Sequence, residues 1–477
     1  MIDFVTHNMA PLMFAGMMLF MVIGYPAAFS LAAVGLFFGF IGIELGLIRA
    51  DFLGNLTFQL FAIVSNDLLL AIPFFTLMGT ILERCGLAED LLEGFGQLFG
   101  PIRGGLSYAV ILVGAVLGAI TGTVAASVIA MGIIAMPVMM RYGYSIRHTT
   151  GVIAASGTIT QLIPPSLVLV VLADQLGKSV GDMYLGAVGP SLMQVALFAA
   201  YVLLLTYIRP QDVPALPPEA RTLHGWALAK RCIRGMVPSA VLIFLVLGTI
   251  FMGLATPTEA GAMGVVGGLA LAWVNGRLSW DLVYQGMSST MRITAMVVFI
   301  LIGARVFSLV FQGVGGKEWI EHLLTSLPGG AVGFLIFVNI FVFIIAFFLD
   351  FFEIAFIIIP LLAPAAEKLG IDLIWFGILI GANVQTSFMH PPFGFALFYI
   401  RGIAPRTVKS SDIYLGAIPW VVLQLILVAL LIAFPQTVTF MLDKPPKVDP
   451  AMIEQQLRNL PGLDLPPPTL DLGPPKL

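Results

Sequence analysis

The chain has 477 residues, 59% of them hydrophobic and only 10% charged, with a net charge of −3 and a mean hydropathy of +1.01. That balance excludes a soluble globular protein of this size, and with no basic tract carrying interleaved aromatics it excludes a nucleic-acid-binding surface. Continuous apolar runs without strict alternation exclude a β-barrel, so the expected fold is an all-α polytopic membrane protein.

A run of about 20 apolar residues matches a hydrocarbon core roughly 30 Å thick. In chain order, such runs lie near residues 9–24, 26–47, 69–86, 147–173, 183–208, 236–254, 257–276, 287–312, 373–401 and 412–441. No basic residue precedes the first, so it is expected to stay in place rather than be cleaved as a signal peptide. Glu83, Glu89, Asp90 and Glu93 read as a solvated helix end. Cys85 and Cys232 are far apart in sequence and lack metal-ligand spacing, which makes them packing residues. The connection 209–235 is rich in Lys and Arg and is expected to be cytoplasmic, which puts both termini outside. Trp226, Trp273, Trp280 and Trp420 fall near span ends, as an interfacial belt would require. The Pro-rich stretch 442–477 reads as an extended tail with one short helix near Ile453–Leu460.

Two apolar stretches do not fit single spans. The first, 107–139, would overshoot the membrane as a straight helix, and Thr121, Gly122 and Thr123 at its middle permit a sharp turn. The second, 334–363, has Asp350 and Glu353 in the equivalent place. Both read as re-entrant hairpins, whose irregular backbone must face protein or a water-filled cavity. After each comes a span interrupted by a proline pair, Pro164–Pro165 and Pro391–Pro392, where the helix should unwind.

These features repeat. Gly143 and Gly370, Ser156 and Asn383, and Pro164 and Pro391 are each 227 positions apart, and the two Tyr-Leu-Gly-Ala strings at Tyr184 and Tyr414 are 230 apart. An odd number of spans per half would make the halves inverted, with a site near the midplane where they meet. The expected organisation is a first inverted repeat at 1–208, the connection 209–235, a second repeat at 236–441, and the tail.

Oxygen-rich residues at the hairpin tips and helix breaks suit a hard cation such as Na⁺. The candidates are Thr121, Gly122, Thr123, Gly157, Thr158, Asp350, Glu353, Asn383 and Thr386. Half-helix N-termini at the breaks favour an anionic substrate, with candidates Thr160, Pro164, Pro165, Ser166, Gln385, Ser387, His390, Pro391 and Pro392. A structurally kinked helix is the alternative for either proline pair alone. Arg305, deep in a span, could attract substrate, pair with Glu259 or meet another subunit, and a structural or interfacial role is favoured. Glu259 reads as a helix cap, and His390 as a hydrogen-bonded pocket residue. No metal motif other than a Na⁺ site, no cofactor motif and no nucleophile constellation is present, so an enzyme using Asp350, Glu353 and His390 is disfavoured.

The strings IPFFTLMGTILERCGLAEDLL, AITGTVAASVIAMG, GVIAASGTITQLIPPS, GLATPTEAGAMG and NVQTSFMHPPFGFALF resemble the large membrane (DctM-like) subunit of TRAP, tripartite ATP-independent periplasmic, transporters over roughly residues 10–440. The resemblance implies a scaffold plus a mobile, elevator-type transport domain holding both hairpins and both broken helices. It also implies a sodium-coupled symporter in a bacterial inner membrane, working with a small four-helix membrane subunit and a periplasmic substrate-binding protein to import an organic anion such as a carboxylate. A stand-alone ion- or proton-coupled anion carrier is the other reading. Similar proteins usually have Thr where His390 stands and Val where Phe393 stands.

Overall fold

The structure, a computed structural model, describes residues 2–121, 124–391 and 394–442. Gly122, Thr123, Pro392, Phe393 and the tail from residue 443, including its expected short helix, lie outside the described residues. Residues up to Phe440 form one compact unit; of the second, Met441–Leu477, only Met441 and Leu442 are described.

The first half runs through α1 (Ile2–His7), α2 (Met9–Ile23), α3 (Ala27–Glu44), α4 (Asn55–Val64), α5 (Asp67–Glu83), α6 (Leu87–Phe99), α7 (Gly105–Thr121), α8 (Val124–Arg141), α9 (Ile146–Thr158), α10 (Leu167–Leu176) and α11 (Val180–Ile208). In the second half, α12 (Gly225–Ile243) winds on into α13 (Thr249–Phe251), and α14 (Pro257–Val274), α15 (Trp280–Gly313), α16 (Gly316–Thr325) and α17 (Gly330–Ile345) follow. Then α18 (Phe351–Glu353) continues into α19 (Ile359–Lys368), and α20 (Leu373–Val384), α21 (Phe395–Ile403), α22 (Ser410–Ala433) and α23 (Gln436–Thr439) complete the fold. Among the described residues, six helices are long and apolar enough to cross a membrane, or up to eight if each bent pair is one span. The chain is a multi-pass membrane protein.

Close glycine approaches fix how the halves are oriented. A Cβ on Gly35 of α3 would lie 3.0 Å from Phe307 Cα of α15, and one on Gly303 would lie 2.9 Å from Ala28 Cα, so α3 and α15 run parallel. Gly261 meets Phe74, and Gly268 meets Ile81 and Leu82, so α14 runs parallel to α5. Gly286, early in α15, meets Leu77 and Ile81, late in α5, and Gly313 at the end of α15 meets Phe52 just before α4. That makes α15 antiparallel to α5. It follows that α3 and its repeat equivalent α14 point in opposite directions, which is the inversion expected from the sequence.

Both hairpins return to the face they enter from. The Gly104 N–H before α7 donates to Val213 O at 2.9 Å, and the Ser145 N–H after α8 donates to the adjacent Asp212 O at 3.1 Å, so both ends of the first hairpin rest on one connection. The ends of the second are joined by Lys368 at the end of α19, whose Nζ donates to Glu321 Oε1 of α16 at 2.7 Å. Gly377 and Gly381 of α20 pack on Leu176 and Leu172 of α10, in that reversed order. The two broken helices are therefore antiparallel, and the hairpins open to opposite faces. The buried apolar residues form two clusters, one containing α7 to α9 with the start of α22 and the other containing α17 to α20 with the start of α11.

Two local expectations change. Glu83 ends α5, but Glu89, Asp90 and Glu93 lie on the polar side of a separate amphipathic helix, α6, which buries Leu87, Leu91, Leu92 and Phe95. Arg231 Nη2 bridges Asp90 at 2.9 Å and Glu93 at 2.6 Å. Trp226, Trp273 and Trp280 are exposed as interfacial residues should be, but Trp420 is buried against Phe198 and Tyr201, with ring centroids 5.0 and 5.1 Å away. Neighbours on α11 and α9 enclose it, with the His148 ring 6.0 Å away, a contact that its position near a span end did not reveal. Cys85 and Cys232 are free thiols, and Cys85 is buried, as packing residues would be.

Because Gly303 lies against the α3 backbone, Gly303→Val should destabilise the pair by about 1–3 kcal/mol through overpacking. A lower melting temperature in detergent is expected, with Ala33→Val on the exposed side of α3 unchanged.

Candidate functional site

The first broken helix leaves α-geometry at Thr158, passes through a tighter turn at Ile159–Gln161, crosses a cis Pro164–Pro165 bond and restarts at α10. Ser166 organises the restart. Its Oγ accepts from the Val168 N–H at 3.2 Å and donates to Gln161 O at 2.5 Å. The second broken helix unwinds through Gln385–Met389 and His390, and restarts at α21 after Gly394, which offers no side-chain cap. Proline supplies no N–H and restrains the residue before it, so the breaks fall where the sequence places the pairs.

The hairpin tips reach the same region. Asp350 and Glu353 form a reciprocal cap at the start of α18: Asp350 Oδ1 accepts from the Glu353 N–H at 2.9 Å, and Glu353 Oε2 accepts from the Asp350 N–H at 3.0 Å. At least one oxygen of each acid is thus committed to the backbone of the tip, where it satisfies helix-end donors.

A cavity of about 250 Å³ brings these features together. Its wall includes Val124, Leu167, Phe351 and Phe395, the first residues of α8, α10, α18 and α21, so four helix N-termini converge on one space. Partial positive charge from unpaired N–H groups gathers at such ends. Gln161, Asp350 and Tyr399 supply polar atoms, and Met296 with Ile293 of α15 closes one side. A second cavity, of about 490 Å³, contains Asp350, Glu353 and Ser387 and extends to Gly24 after α2. The two share Asp350 and Phe395.

Thr158 and Gln385 are repeat equivalents, and they touch: Gln385 Nε2 donates to Thr158 Oγ1 at 3.4 Å. Gln424 Nε2 donates to the same oxygen at 3.3 Å. Gln194 of α11 is the repeat equivalent of Gln424, 230 positions earlier, and all four side chains are fully buried. The contact of Thr158 with its own equivalent, Gln385, places the pseudo-twofold axis between these two side chains.

The hydroxyls of Thr158, Thr160 and Thr386 donate to Ala155 O, Gly157 O and Asn383 O at 2.9, 3.0 and 2.7 Å. Turning the hydrogen to the backbone leaves these oxygens to act as acceptors, a role that Thr158 already fills toward Gln385 and Gln424. Asn383 Nδ2 donates to Asn339 O at 2.7 Å and to Asn339 Oδ1 at 3.0 Å. Several buried oxygens have no hydrogen-bond partner among the described residues: Ser156 Oγ, Gln161 Oε1, Asn383 Oδ1, Gln385 Oε1 and Gln424 Oε1. Ser156 and Asn383 are again repeat equivalents, one orphaned oxygen in each half.

Of the candidates named from sequence, Asp350, Glu353 and Ser387 line the cavities. Gly157, Thr158, Thr160, Pro164, Pro165, Ser166, Asn383, Gln385 and Thr386 are buried but line neither cavity, and Pro391 is half-buried. Thr121 ends α7; its side chain is outside the described residues. His390 is held chiefly by aromatic rings, with the Ala346 backbone as its polar neighbour. Its ring stacks on Phe347 with centroids 4.1 Å apart and meets Phe343 edge-on at 4.5 Å, and neither ring nitrogen makes a hydrogen bond of ordinary geometry among the described residues. Glu259 caps α14 with Thr256 as expected, and no ion pair joins it to Arg305 among the described residues. Gln161, Gln194, Gln424 and Asn339 were not singled out. Extending the 230-residue offset beyond the Tyr-Leu-Gly-Ala strings would have found the pair Gln194 and Gln424.

The family model for the "Tripartite ATP-independent periplasmic transporter, DctM component" matches residues 14–437. The chain belongs to the DctM family. It is 31% identical over 393 residues to the C4-dicarboxylate TRAP transporter large permease protein DctM of Pseudomonas aeruginosa, covering 82% of this chain and 89% of that one. It is 29% identical over 436 residues to the ectoine TRAP transporter large permease protein TeaC of Halomonas elongata, covering 91% and 99%. The fold is similar to that of the Alcanivorax borkumensis YdaH transporter, with a TM-score of 0.54 at 17% identity over 81% of this chain and 87% of the other. As a DctM-family member it is a TRAP large permease subunit, and the family points to a transporter, not an enzyme.

Within this DctM-family chain, Asn339→Leu would leave the Asn383 amide without its side-chain partner, at a cost of about 1–3 kcal/mol. Melting in detergent should drop, and adding Asn383→Leu should recover part of the loss, because two apolar groups leave nothing unpaired.

Proposed function

We propose that this subunit imports a small organic anion, driven by sodium, after delivery by a periplasmic binding protein. The observation that carries this reading is the convergence of four helix N-termini on one cavity bounded by both hairpins and both helix breaks. Such a space suits a carboxylate or similar group, since N–H donors and helix dipoles both favour negative charge. Asp350 would repel that anion unless a cation sits beside it, so coupling to Na⁺ gives the acid a function: the ion offsets the carboxylate and makes the anion welcome. The orphaned oxygens of Ser156 and Asn383 are the right donor chemistry for Na⁺, one in each half, and the Thr386 hydroxyl, its hydrogen turned to the backbone, lies close in sequence.

The hairpins and broken helices would move as a unit against the α3–α15 and α5–α14 pairs, whose glycine-mediated packing suits a fixed scaffold. A small membrane subunit and a bacterial inner membrane complete the proposed system. The relatives are named for C4-dicarboxylate and for ectoine, so family membership leaves the cargo to be identified chemically.

Reconstituted with the small subunit and binding protein, the chain should take up substrate only with an inward Na⁺ gradient and with the binding protein present. Unchanged uptake in the absence of both would overturn the proposal. Asp350→Asn combined with Asn383→Ala should weaken apparent Na⁺ affinity by about tenfold or more, the equivalent of losing one good ligand. An unaltered Na⁺ titration would remove these two residues from the ion site.

A further inference from the structure

Arg305 lies in an apolar stretch of the last third of α15, yet its side chain is exposed and makes no ion pair among the described residues. Its depth follows from packing. Phe307 is level with Gly35, near the centre of the 18-residue span α3, and Arg305 lies two residues before it. Counting from the other side, Arg305 is eight residues from the Gly313 end of α15, roughly 12 Å along the helix, after which amphipathic α16 begins. The half-thickness of a hydrocarbon core is about 15 Å. A guanidinium facing lipid at that depth is costly by several kcal/mol even when it snorkels.

We infer that the Arg305 face of α15 is where the small membrane subunit docks, through a transmembrane helix that places a carboxylate opposite Arg305. The inference rests on the proposed assembly with such a subunit and adds the surface and its chemistry. Charge complementarity selects the occupant. A second copy of this chain cannot supply the acid: among the described residues, every Asp and Glu lies in a loop, in an amphipathic helix, within the first or last turn of a helix, or at the Asp350–Glu353 tip. The same side of α15 is apolar. Val298 and Ile302, seven and three residues before Arg305, share its side by helical spacing and are partly exposed.

The test uses the full chain co-expressed with its small subunit. Arg305→Leu is compatible with lipid and should leave the isolated chain folded, with an unchanged melting temperature. Recovery of the small subunit on purification should fall by about tenfold or more, while Arg305→Lys retains it. A photocrosslinker at Val298 or Ser308, seven residues before and three after Arg305, should capture the small subunit, and one at exposed Leu204 of α11 should not. Full recovery with Arg305→Leu, crosslinks only to lipid from Val298 and Ser308, or equal capture from Leu204 would overturn the inference. If the wild-type chain recovers no small subunit, the proposed assembly fails instead, so the two failures are distinguishable.

Discussion

A backbone N–H or C=O that leaves helical bonding inside a bilayer has no water to turn to. Among the described residues, helices are interrupted around two hairpin tips and two proline pairs, and each break frees several such groups. Lipid cannot solvate them, so the breaks must lie against protein or around a shared polar space. Four restarting helices, α8, α10, α18 and α21, line one cavity. Side chains satisfy what they can: Ser166 at one restart, and Asp350 with Glu353 at another. Gly394 at α21 provides no such cap, so donors there stay available to a ligand.

The repeat carries the backbone plan but not the chemistry. Thr158 is replaced by Gln385, Ser156 by Asn383, and Thr160 by Ser387. Where α7 approaches α9, glycine makes the contact: a Cβ on Gly114 would lie 2.7 Å from Ser156 Cβ, and one on Gly118 would lie 2.9 Å from Thr160 Cα. Where α17 approaches α20, Asn339 fills the corresponding space and bonds Asn383. The first hairpin therefore sits backbone to backbone against its broken helix, and the second is held by an amide pair. Two oxygen-lined positions related by the pseudo-twofold axis then differ in size and donors, as expected if an ancestral symmetric arrangement acquired a distinct task in each half.

Much of this was legible in the sequence because the controlling features are coarse. Apolar run lengths gave the multi-pass class, though ten runs of spanning length correspond to six qualifying helices, or up to eight, among the described residues, and a 33-residue run with Thr-Gly-Thr at its middle cannot be one straight span. Fixed offsets between Gly, Pro and polar residues exposed the repeat. Features that depend on tertiary neighbours were less visible. Trp420 near a span end reads as interfacial until Phe198 and Tyr201 of α11 enclose it. The acids of α6 look like a frayed helix end because its apolar face is short and interleaved with charge. His390 could be placed at the break, but its aromatic clamp by Phe343 and Phe347 comes from a hairpin over 40 residues away.

The same contrast explains how the hairpins are held. The first is fastened at both ends by main-chain bonds to adjacent residues of one connection, Asp212 and Val213, so any displacement of its base must carry that connection along. The second closes its base with the exposed ion pair of Lys368 and Glu321, where solvent screening makes each such pair weak. One hairpin is thus tied to the polypeptide that joins the halves, and the other chiefly to its own preceding amphipathic helix. If the site is to open to each side in turn, the second hairpin has the more easily broken fastening at its base and the more polar tip. Inverted backbones therefore need not carry equivalent fastenings: the chemistry added to each half sets how firmly the base of its hairpin is held.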